Sequence, residues 1–443
     1  MKHCRVAIIG GGASGMAAAV AALRAPAQGG ISKAERSVMV FERNRRTGEK
    51  IRISGGGKCN LTHAGPVEAI LEEGFLRMNE RRFLRHALHS FTNEDIIALM
   101  EAEGVGLEAR PDGKVFTERG DADAVAEALS RMLKRAGTLM IYGSRVTRVS
   151  RKSGMFELET EGGIFSAERL IIATGGASWP QLGTTGDGIR LAVSLGHTKT
   201  PVSPALAPLY LINPPGSELS GIALRSVTIH ASSGKEKSSR NGDVLFTHRG
   251  LSGPAALSIS RDVARIMQTT GSCMMTADLF PSHEVSALEE ELLLHAARNG
   301  SQMVRKFLQS CPIAPGGRIA GGNHPHGTIP TAFVGCILPH AGIGDEVVWG
   351  GLQKKTRQSL LSVLKRFPLG PVAKVPMEQG EVSAGGVVLG EVNPKTMESR
   401  LVPGLYFAGE VLDYTGEIGG YNLQAAFSTG WLAGTSAAQP PQE

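Results

Sequence analysis

The sequence lacks any arrangement of cysteine typical of a metal site or a cross-linked chain. Its five cysteines (Cys4, Cys59, Cys273, Cys311 and Cys336) are scattered, without a C-x-x-C pair or a Cys/His cluster. This spacing argues against a zinc site, an iron–sulfur cluster and a disulfide framework. It predicts a reducing, cytoplasmic environment and no bound metal.

Long uninterrupted apolar runs are also missing. No stretch reaches the ~18 apolar residues that a membrane span needs, so no membrane association is expected. The first 25 residues, MKHCRVAIIGGGASGMAAAVAALRA, begin with basic residues and an apolar run, as a signal peptide does. Gly10, Gly11, Gly12 and Gly15 interrupt this run where a signal needs a continuous helix, so we expect no signal peptide.

A strong excess of charge is absent from most of the chain. The formal net charge is +6, and residues 1–52 hold ten Lys and Arg against three Asp and Glu. The excess is therefore local and concentrated in the segment ERNRRTGEKIR, whereas a nucleic-acid binder is expected to spread it over a broad face. A phosphorylated small ligand suits this local cluster better, and nucleic acid is not the expected partner. The basic patch at residues 43–58 nevertheless leaves an RNA-acting protein as an alternative.

Glycine is abundant, with 57 residues and no G-x-y period, which indicates tight turns and close backbone approaches. The most informative cluster follows the apolar run at 5–9, where G-x-G-x-x-G falls on Gly10, Gly12 and Gly15. An Ala-rich helix pattern extends to about residue 23, and residues 37–43 form a second apolar run that contains Glu42. Strand, glycine turn, helix, strand and acid in this order predict a dinucleotide site with Glu42 on the adenosine ribose. The 27 residues from Gly15 to Glu42 exceed the usual ~20, and an extended loop at 25–36 is expected to absorb the excess.

The remaining patterns predict an α/β protein with an interrupted nucleotide-binding domain. Short strands at 138–176 end in the buried run LIIATGG, and the strand-like segment GLYFAGEVLD returns near the C-terminus. Between them, 197–281 is β-rich, with an exposed hairpin loop expected at 232–242. Residues 282–370 are helical, with an irregular Gly/Pro/His-rich stretch at 312–344. We therefore predict a Rossmann-like domain from 1–196 and 371–443, a β-barrel-like insertion at 197–281 and a helical subdomain at 282–370.

Several longer motifs resemble those of one family of FAD flavoproteins. They are GEKIRISGGGKCNLTH, LIIATGGASWPQLGTTGDG, LFTHRGLSGPAAL and VPGLYFAGEVLDYTGEIGGYNLQAAFSTGWLAG, together with the opening VAIIGGGASGMAAA. The family includes the aminoacetone oxidases and BaiN-type bile-acid reductases, and the resemblance covers nearly the whole chain. His63 departs from it, because the family usually has Asn at that position.

The resemblance implies which residues line the FAD. Gly10, Gly12, Ala13, Ser14 and Gly15 would line the pyrophosphate and Glu42 the ribose, with the loop Ser54, Gly55, Gly56, Gly57 and Asn60 along the cofactor. Arg43 and Lys50 would offset pyrophosphate or reduced-flavin charge, Val146 would pair its backbone with adenine, and Thr174, Gly175 and Gly176 would lie alongside. Gly409, Glu410 and Asp413 would reach the ribityl chain and phosphates. Gly420, Tyr421, Asn422 and Leu423 would direct helix N–H groups at the flavin pyrimidine, where reduced flavin is negative.

The sequence offers fewer candidates for catalytic residues than for cofactor-binding residues. His248, in FTHRG, suits acid/base work near neutral pH or is a hydrogen-bonded loop histidine. Tyr421 either donates to substrate or covers the flavin. Cys59 is expected to be a small buried residue rather than a redox thiol. The two histidines of NHPHG (323–327) lack further ligands nearby and are expected to be loop residues rather than a metal site.

These observations favour a cytoplasmic FAD-dependent oxidoreductase that passes hydride between NAD(P)H, FAD and a small organic substrate. An amine or amino-acid oxidase, the RNA-acting flavoprotein and a flavin-binding sensor without turnover remain alternatives. The sequence leaves open the substrate, the nicotinamide, the redox direction, the proton-transfer residue and the oligomeric state.

Overall fold

The chain forms two compact units. A computed structural model describes residues 2–25, 37–310 and 329–439. Unit 1 comprises Met1–Ser203 and Met377–Glu443, and unit 2 comprises Pro204–Pro376. The loop expected at 25–36, the first part of the irregular stretch at 312–344 and the NHPHG segment lie outside the described residues, apart from Ala25 and the residues from 329 onward.

Unit 1 contains most of the strands and the long N- and C-terminal helices. Its strands are β1 Lys2–Ile9, β2 Val38–Phe41, β3 Thr62–His63, β4 Leu107–Ala109, β5 Lys114–Thr117, β6 Leu139–Ile141, β7 Val146–Lys152, β8 Met155–Thr160, β9 Gly163–Ile172, β10 Lys199–Ala205 (which ends just past the unit boundary), β17 Val382–Val387 and β18 Leu405–Phe407. Its helices are α1 Ala13–Arg24, α2 Glu49–Ile53, α3 Val67–Gly74, α4 Met78–Ser90, α5 Asn93–Glu101, α6 Ala122–Ala136, α7 Asp187–Ser194 and α13 Tyr421–Ala438.

A seven-stranded sheet organises unit 1. Its order is β6-β2-β1-β9-β8-β7, and β18 pairs with β9. The pairs β1–β2, β1–β9, β2–β6 and β9–β18 are parallel, whereas β7–β8 and β8–β9 are antiparallel. Because β18 comes from the C-terminal part of the chain, the nucleotide-binding domain is discontinuous, and the predicted strand–turn–helix–strand opening is confirmed.

Helix α13 packs directly on α1 because glycines allow their backbones to approach closely. A Cβ atom on Gly430 would lie 2.2 Å from the Ser14 carbonyl oxygen, and one on Gly434 would lie 2.1 Å from that of Ala18. Backbone carbonyls inside a helix cannot move aside, so a larger residue at either position would force the helices apart. The contact fixes the start of α13 relative to the turn after β1.

Unit 2 is a closed barrel followed by helices. Its strands are β11 Leu209–Leu211, β12 Ala223–Ser233, β13 Glu236–Thr247, β14 Gly250–Ser252, β15 Met274–Asp278 and β16 Phe367–Lys374, in the barrel order β11-β14-β13-β12-β15-β16. Its helices are α8 Pro254–Thr270, α9 Val285–Arg298, α10 Val304–Ser310, α11 Thr331–Ala341 and α12 Lys354–Lys365. Barrel strands and helices share one hydrophobic core. A β-barrel, as expected from the sequence, is thus confirmed, but it is not confined to the expected 197–281, because β16 follows the helices in the chain and closes the barrel.

Two local expectations for unit 2 are corrected by the structure. The hairpin expected at 232–242 is present, but its loop is much shorter than expected, since β12 continues to Ser233 and β13 begins at Glu236. Polar residues alternate along this ribbon without interrupting its pairing. The described part of the stretch expected to be irregular holds α11, which buries Phe333 and Ile337. Its Pro339 lies in the last turn, where a helix is ending anyway.

Candidate functional site

The turn after β1 needs its first and third glycines for packing within the protein. Gly10 has φ +106°, and a Cβ there would lie 2.5 Å from the Ala173 carbonyl oxygen. A Cβ on Gly15 would lie 1.8 Å from the carbonyl oxygen of Gly10. Gly12 is different, because a Cβ there would meet no described atom within 4 Å. The protein itself does not require this glycine, which fits close approach of a pyrophosphate to the backbone.

Helix α1 begins beside this glycine. Gly12 is the N-cap residue without a side-chain hydrogen bond, and no acidic residue lies in the first turn. The first N–H groups of a helix have no intrahelical acceptor and carry partial positive charge, so Ala13 and Ser14 offer donors to an anion. Gly409 packs against Ser14, since a Cβ on Gly409 would lie 2.5 Å from the Ser14 Oγ. The segment after β18 therefore meets the start of α1.

The carboxylate of Glu42 braces the glycine turn. Its Oε2 accepts from the Gly11 N–H at 2.8 Å and its Oε1 from the Asn44 N–H at 2.7 Å. The side chain is buried, and this burial raises the pKa of Glu42, while the two N–H donors and Arg43 oppose the rise. Each oxygen retains a second lone pair. The structure thus puts the predicted ribose ligand beside the glycine turn, with a bracing role that the motif alone did not reveal.

Arg43 follows the end of β2, and Val146 is the first residue of β7. The Arg43 Nη1 donates to the Gly183 carbonyl at 3.1 Å and to the Thr185 Oγ1 at 3.0 Å, and lies 3.5 Å from the Asp187 Oδ2. Val146 is buried and begins β7, where it pairs with β8. The guanidinium of Arg43 is therefore held by protein groups, and the adenine contact of Val146 stays a prediction.

Lys50 and Glu410, both predicted to lie along the cofactor, pair with each other. The Lys50 Nζ lies 2.7 Å from the Glu410 Oε2 and donates to the Ser178 Oγ at 2.8 Å. The Glu410 Oε1 accepts from the N–H of Ser383 at 2.7 Å. This network adjoins Gly176, where a Cβ would lie 2.0 Å from the Ser383 Oγ. The ammonium charge is thus largely balanced by a carboxylate.

The segment after β9 is built from residues in close backbone contact. Gly175 has φ +72°, a left-handed conformation that favours glycine, and Gly176 accepts the Gly186 N–H at 2.9 Å. The Thr174 Oγ1 would lie 2.0 Å from a Cβ on Gly188 at the start of α7. Thr174, Gly175 and Gly176 therefore lie at the carboxyl end of β9, next to the Gly10 turn, at the edge where ligands bind in such sheets.

The glycine triple forms a tight turn after α2. Gly55, Gly56 and Gly57 have φ values of +57°, +68° and +85°, which other residues rarely adopt. A Cβ on Gly55 would lie 2.9 Å from the Asn60 backbone nitrogen, whereas Cβ atoms on Gly56 and Gly57 would meet no described atom within 4 Å. Ser54 ends α2 and donates to the Ile51 carbonyl at 2.6 Å. The turn thus presents bare backbone, as a segment lying against a cofactor would.

Cys59 follows this turn and is fully buried. Burial raises the pKa of its thiol to about 11, so the thiol stays protonated at neutral pH. A thiol rather than a thiolate is a poor nucleophile. The expectation that Cys59 is a small buried residue is confirmed.

The glycine-triple segment is joined to the start of α13. The Asn60 amide, in the orientation that satisfies both its groups, accepts from the Gly420 N–H at 3.0 Å and donates to the Thr62 carbonyl at 3.2 Å. Gly420 has φ +90°, and a Cβ there would lie 2.4 Å from the Thr62 carbonyl oxygen. Asn422 holds the loop before the helix, because its Oδ1 accepts from the Gly416 N–H at 2.8 Å. Leu423 lies half-buried in the first turn of α13.

The hydroxyl of Tyr421 points to a carboxylate that the sequence did not predict. It donates to the Glu73 Oε2 at 3.3 Å, and the ring stacks on that of His63 with centroids 4.8 Å apart. Burial, followed by the negative charge of Glu73, raises the pKa of Tyr421. Glu73 could not be predicted because 348 residues separate it from Tyr421 and no spacing rule connects them, and His63 stood out in the sequence only as a departure from the family pattern.

Asp413 lies in a network of its own. Its Oδ1 lies 3.1 Å from the Arg77 Nη2, and its Oδ2 accepts from the Thr200 Oγ1 at 2.7 Å. Arg77 also pairs with the fully buried Glu80 at 2.6 Å. Both oxygens of Asp413 therefore already have protein donors, and its contact with a ribityl chain stays a prediction.

Acidic residues neutralise much of the basic segment at 43–58. Besides Arg43 and Lys50, Arg46 pairs with Glu49, and Arg52 pairs with Asp123. Only Arg45 and Lys58 of this segment's basic residues are both exposed and outside the ion pairs found in the described structure. The patch is thus a weaker candidate for RNA contact than its sequence indicated.

His248 belongs to the other unit. It is exposed in the turn between β13 and β14, within unit 2. Its role toward a flavin or a substrate stays a prediction.

Two features are absent from the residues that the structure describes. No group of three or more His, Cys, Asp or Glu side chains there is arranged to hold a metal ion. None of the helices found in those residues is both long and apolar enough to cross a membrane.

Known proteins resemble the chain over nearly its whole length. Residues 4–436 match the model described as the HI0933-like protein Rossmann domain. The chain is 31% identical over 437 residues to the 3-dehydro-bile acid delta(4,6)-reductase of Clostridium scindens, covering 99% of this chain and 100% of that protein. It is 32% identical over 435 residues to the ribosomal RNA dihydrouridine synthase of Haemophilus influenzae, and 30% identical over 441 residues to that of Escherichia coli; both alignments cover 97% of each chain.

Proposed function

The chain belongs to the HI0933-like Rossmann family, and from that membership and its glycine-rich site we propose an FAD-dependent oxidoreductase that reduces an activated carbon–carbon double bond. One observation carries the cofactor assignment. At Gly12 a Cβ would meet no described atom within 4 Å and the φ of −83° suits any residue, so neither packing nor backbone conformation within the protein requires glycine there. Glycines that the protein does not need for its own packing are expected where a ligand approaches the backbone.

The residues present fit FAD in charge as well as in shape. The start of α1 and the carboxylate of Glu42 would hold the pyrophosphate and the ribose. The glycine triple, Asn60 and the first turn of α13 would line the flavin end. Because Glu410 balances Lys50, the positive ends of the two helices remain to stabilise negative charge. When bound, FAD supplies hydride transfer at its flavin ring.

In this proposal Tyr421 does not act as a base, and its ring, held in a fixed orientation, covers the site. Its raised pKa keeps the hydroxyl protonated through neutral pH, and the hydroxyl donates a hydrogen bond to the carboxylate of Glu73. The ring is fixed by stacking on His63. A buried, oriented phenol of this kind covers a site and excludes water.

The names of the three relatives support a common reaction type. A delta(4,6)-reductase and a dihydrouridine synthase both saturate a carbon–carbon double bond, since dihydrouridine is uridine with its C5–C6 bond reduced. In uracil this bond is conjugated to a carbonyl, which accepts negative charge as hydride adds to the far carbon. We assign NAD(P)H as the hydride donor and a small molecule with a carbonyl-conjugated double bond as the first candidate substrate.

A uridine in RNA is the second candidate, and the distribution of charge favours it. Unit 1 holds 30 Lys and Arg and 30 Asp and Glu residues, whereas unit 2 holds 17 and 11. The whole formal excess of +6 therefore belongs to the inserted unit. A basic domain attached to a neutral nucleotide-binding domain suits a polyanionic substrate.

The test is the flavin spectrum under anaerobic conditions. The purified protein is expected to carry about one non-covalent FAD per chain, to be bleached by NADH or NADPH, and to recover its colour when a conjugated enone or a uridine-containing RNA is added. Bleaching by amines or amino acids instead would indicate the oxidase alternative. A colourless protein that cannot be reconstituted with FAD would contradict the proposal.

A further inference from the structure

An exposed arginine of unit 2 is held over an aromatic ring. Arg249 follows His248 in the turn between β13 and β14, and its guanidinium carbon lies 5.3 Å from the centre of the Tyr210 ring. Its Nη1 donates to the Tyr210 hydroxyl at 3.3 Å. A cation over a ring face and a hydrogen bond together restrict a side chain that is otherwise flexible. The guanidinium is therefore positioned before any ligand arrives.

The backbone that carries Arg249 is rigidly attached to the barrel. The Thr247 Oγ1 accepts from the N–H groups of Arg249 at 3.4 Å and Gly250 at 3.2 Å, and the carbonyl of Arg249 accepts from the Leu211 N–H at 3.0 Å. Gly250 has φ +149°, and a Cβ there would lie 2.2 Å from the Leu209 carbonyl oxygen. Only glycine allows this turn to lie so close to β11, which explains one glycine of FTHRGLSG.

The charge of Arg249 is not balanced by a neighbouring acid. Other arginines of the barrel are paired, Arg225 with Asp243 and Arg240 with Asp262. Across the described ranges, no ion pair joins Arg249 to a carboxylate. Lys374, also exposed, is the register partner of Tyr210 on the neighbouring strand β16. Arg249, next to Gly250 of β14, and Lys374 of β16 therefore lie on the two strands that pair with β11 at Tyr210.

We propose that Tyr210, Arg249 and Lys374 form a binding platform for the phosphodiester backbone of an RNA substrate. A guanidinium fork matches phosphate oxygens bidentately, a lysine adds a point charge, and an adjacent aromatic ring offers a face for a nucleobase. Unit 2 as a whole carries a formal charge of +6, which favours the approach of a polyanion. The platform rests on the RNA form of the proposed function and names the surface that would hold that substrate.

The experiment measures binding of a fluorescein-labelled, single-stranded, uridine-containing RNA 20-mer to the FAD-loaded protein at several KCl concentrations. Arg249→Gln is expected to weaken binding at 50 mM KCl by about tenfold, the size of a hydrogen bond between charged groups. It should also reduce the slope of log K against log salt by about 0.7, the value for one phosphate contact on a single strand. Tyr210→Phe should bind nearly as the parent, and Tyr210→Leu should resemble Arg249→Gln.

Arg298→Gln is the matched control, because it removes one exposed arginine from helix α9 of the same unit. It should keep the parent's salt slope and affinity. Equal binding by Arg249→Gln and Arg298→Gln, or no RNA binding by the parent protein at 50 mM KCl, would overturn the platform. FAD content and bleaching by NADPH are measured on the same preparations. Loss of those signals would instead contradict the proposed function, so the two failures are distinguishable.

Discussion

The two units differ most in what they bury. Unit 1 buries polar side chains throughout, among them Glu42, Glu80 and Gln424. In the described part of unit 2, the buried polar residues are Ser260 and His283. Burying a polar group costs folding free energy unless the group is hydrogen-bonded. Such groups are therefore expected where their hydrogen bonds also hold loops in place.

This difference separates two ways of building a site. In unit 1 the buried polar groups tie together the loops at the carboxyl edge of the sheet, as Glu42 ties the N–H groups of Gly11 and Asn44. Unit 2 is held by an apolar core, and its candidate functional residues, His248 and Arg249, are exposed. Substitutions in unit 1 should therefore change how tightly FAD is retained, and those in unit 2 should change substrate binding or turnover.

The largest expected effect is that of Gly12→Val. The new side chain meets no described protein atom within 4 Å, and the φ of −83° at this residue suits valine, so the fold should persist. The branched side chain would instead occupy the space for the pyrophosphate, and FAD retention should be lost. The measurements are flavin absorbance per chain and far-UV circular dichroism.

Gly335→Val, at an exposed glycine of α11 where a Cβ also meets nothing within 4 Å, is the matched control in unit 2. It should retain FAD. Full FAD occupancy in Gly12→Val would show that the phosphate assignment is wrong.

The second effect tests unit 2. His248→Ala should lower turnover by about 100-fold or more, the usual contribution of a general acid or base, while leaving FAD content unchanged. Steady-state reduction of substrate by NADPH and flavin absorbance measure the two quantities. His86→Ala removes an exposed histidine of unit 1 and should change neither. An unchanged rate in His248→Ala removes this residue from the catalytic candidates.

A smaller effect is expected for Glu42→Ala. Loss of a hydrogen bond to a charged group costs ~0.5–3 kcal/mol, so FAD should bind about 2- to 150-fold more weakly. The melting temperature should also fall, because the N–H groups of Gly11 and Asn44 lose their acceptor. Titration of the apoprotein with FAD measures the affinity. An affinity equal to that of the parent would contradict the ribose assignment.

The smallest effect is a dependence of stability on pH in unit 1. His197 is buried between Glu391 and Ser399, with ring nitrogens 2.9 Å from the Glu391 Oε2 and 2.8 Å from the Ser399 Oγ. Burial lowers the pKa of His197 below 6.5, and the neighbouring Glu391 only partly offsets this. The unfolded chain therefore binds a proton more readily than the folded one below about pH 6.5, and stability should fall as pH drops.

Urea unfolding at pH 7 and pH 5.5 measures this difference. His197→Gln lacks the titrating ring and should show a smaller drop between the two pH values, although its overall stability is lower. An identical drop in both proteins would assign the dependence to other groups.

Much of the nucleotide-binding half was predictable from local patterns. Gly10, Gly12, Gly15 and Glu42 lie on one β-α-β unit, whose order the sequence displays directly. The loop of the hairpin at 232–242 is shorter than its polar composition suggests, because backbone pairing between β12 and β13 stabilises strands there whose residues are mostly polar. Helix α11 is hidden in the sequence by the Gly/Pro/His-rich composition of 312–344, whereas its stability comes from buried apolar residues such as Phe333 and Ile337.

The sequence by itself determined the strand–turn–helix opening and the positions of the glycine turns, because these depend on steric preferences within a few neighbouring residues. The tertiary structure alone decided the partners of the site's charged groups. Lys50 meets Glu410 across 360 residues, and Tyr421 meets Glu73 across 348. It also assigned the excess positive charge to unit 2, although the basic run in the sequence lies in unit 1. Charges act through space, so their balance follows from which distant segments the fold brings together.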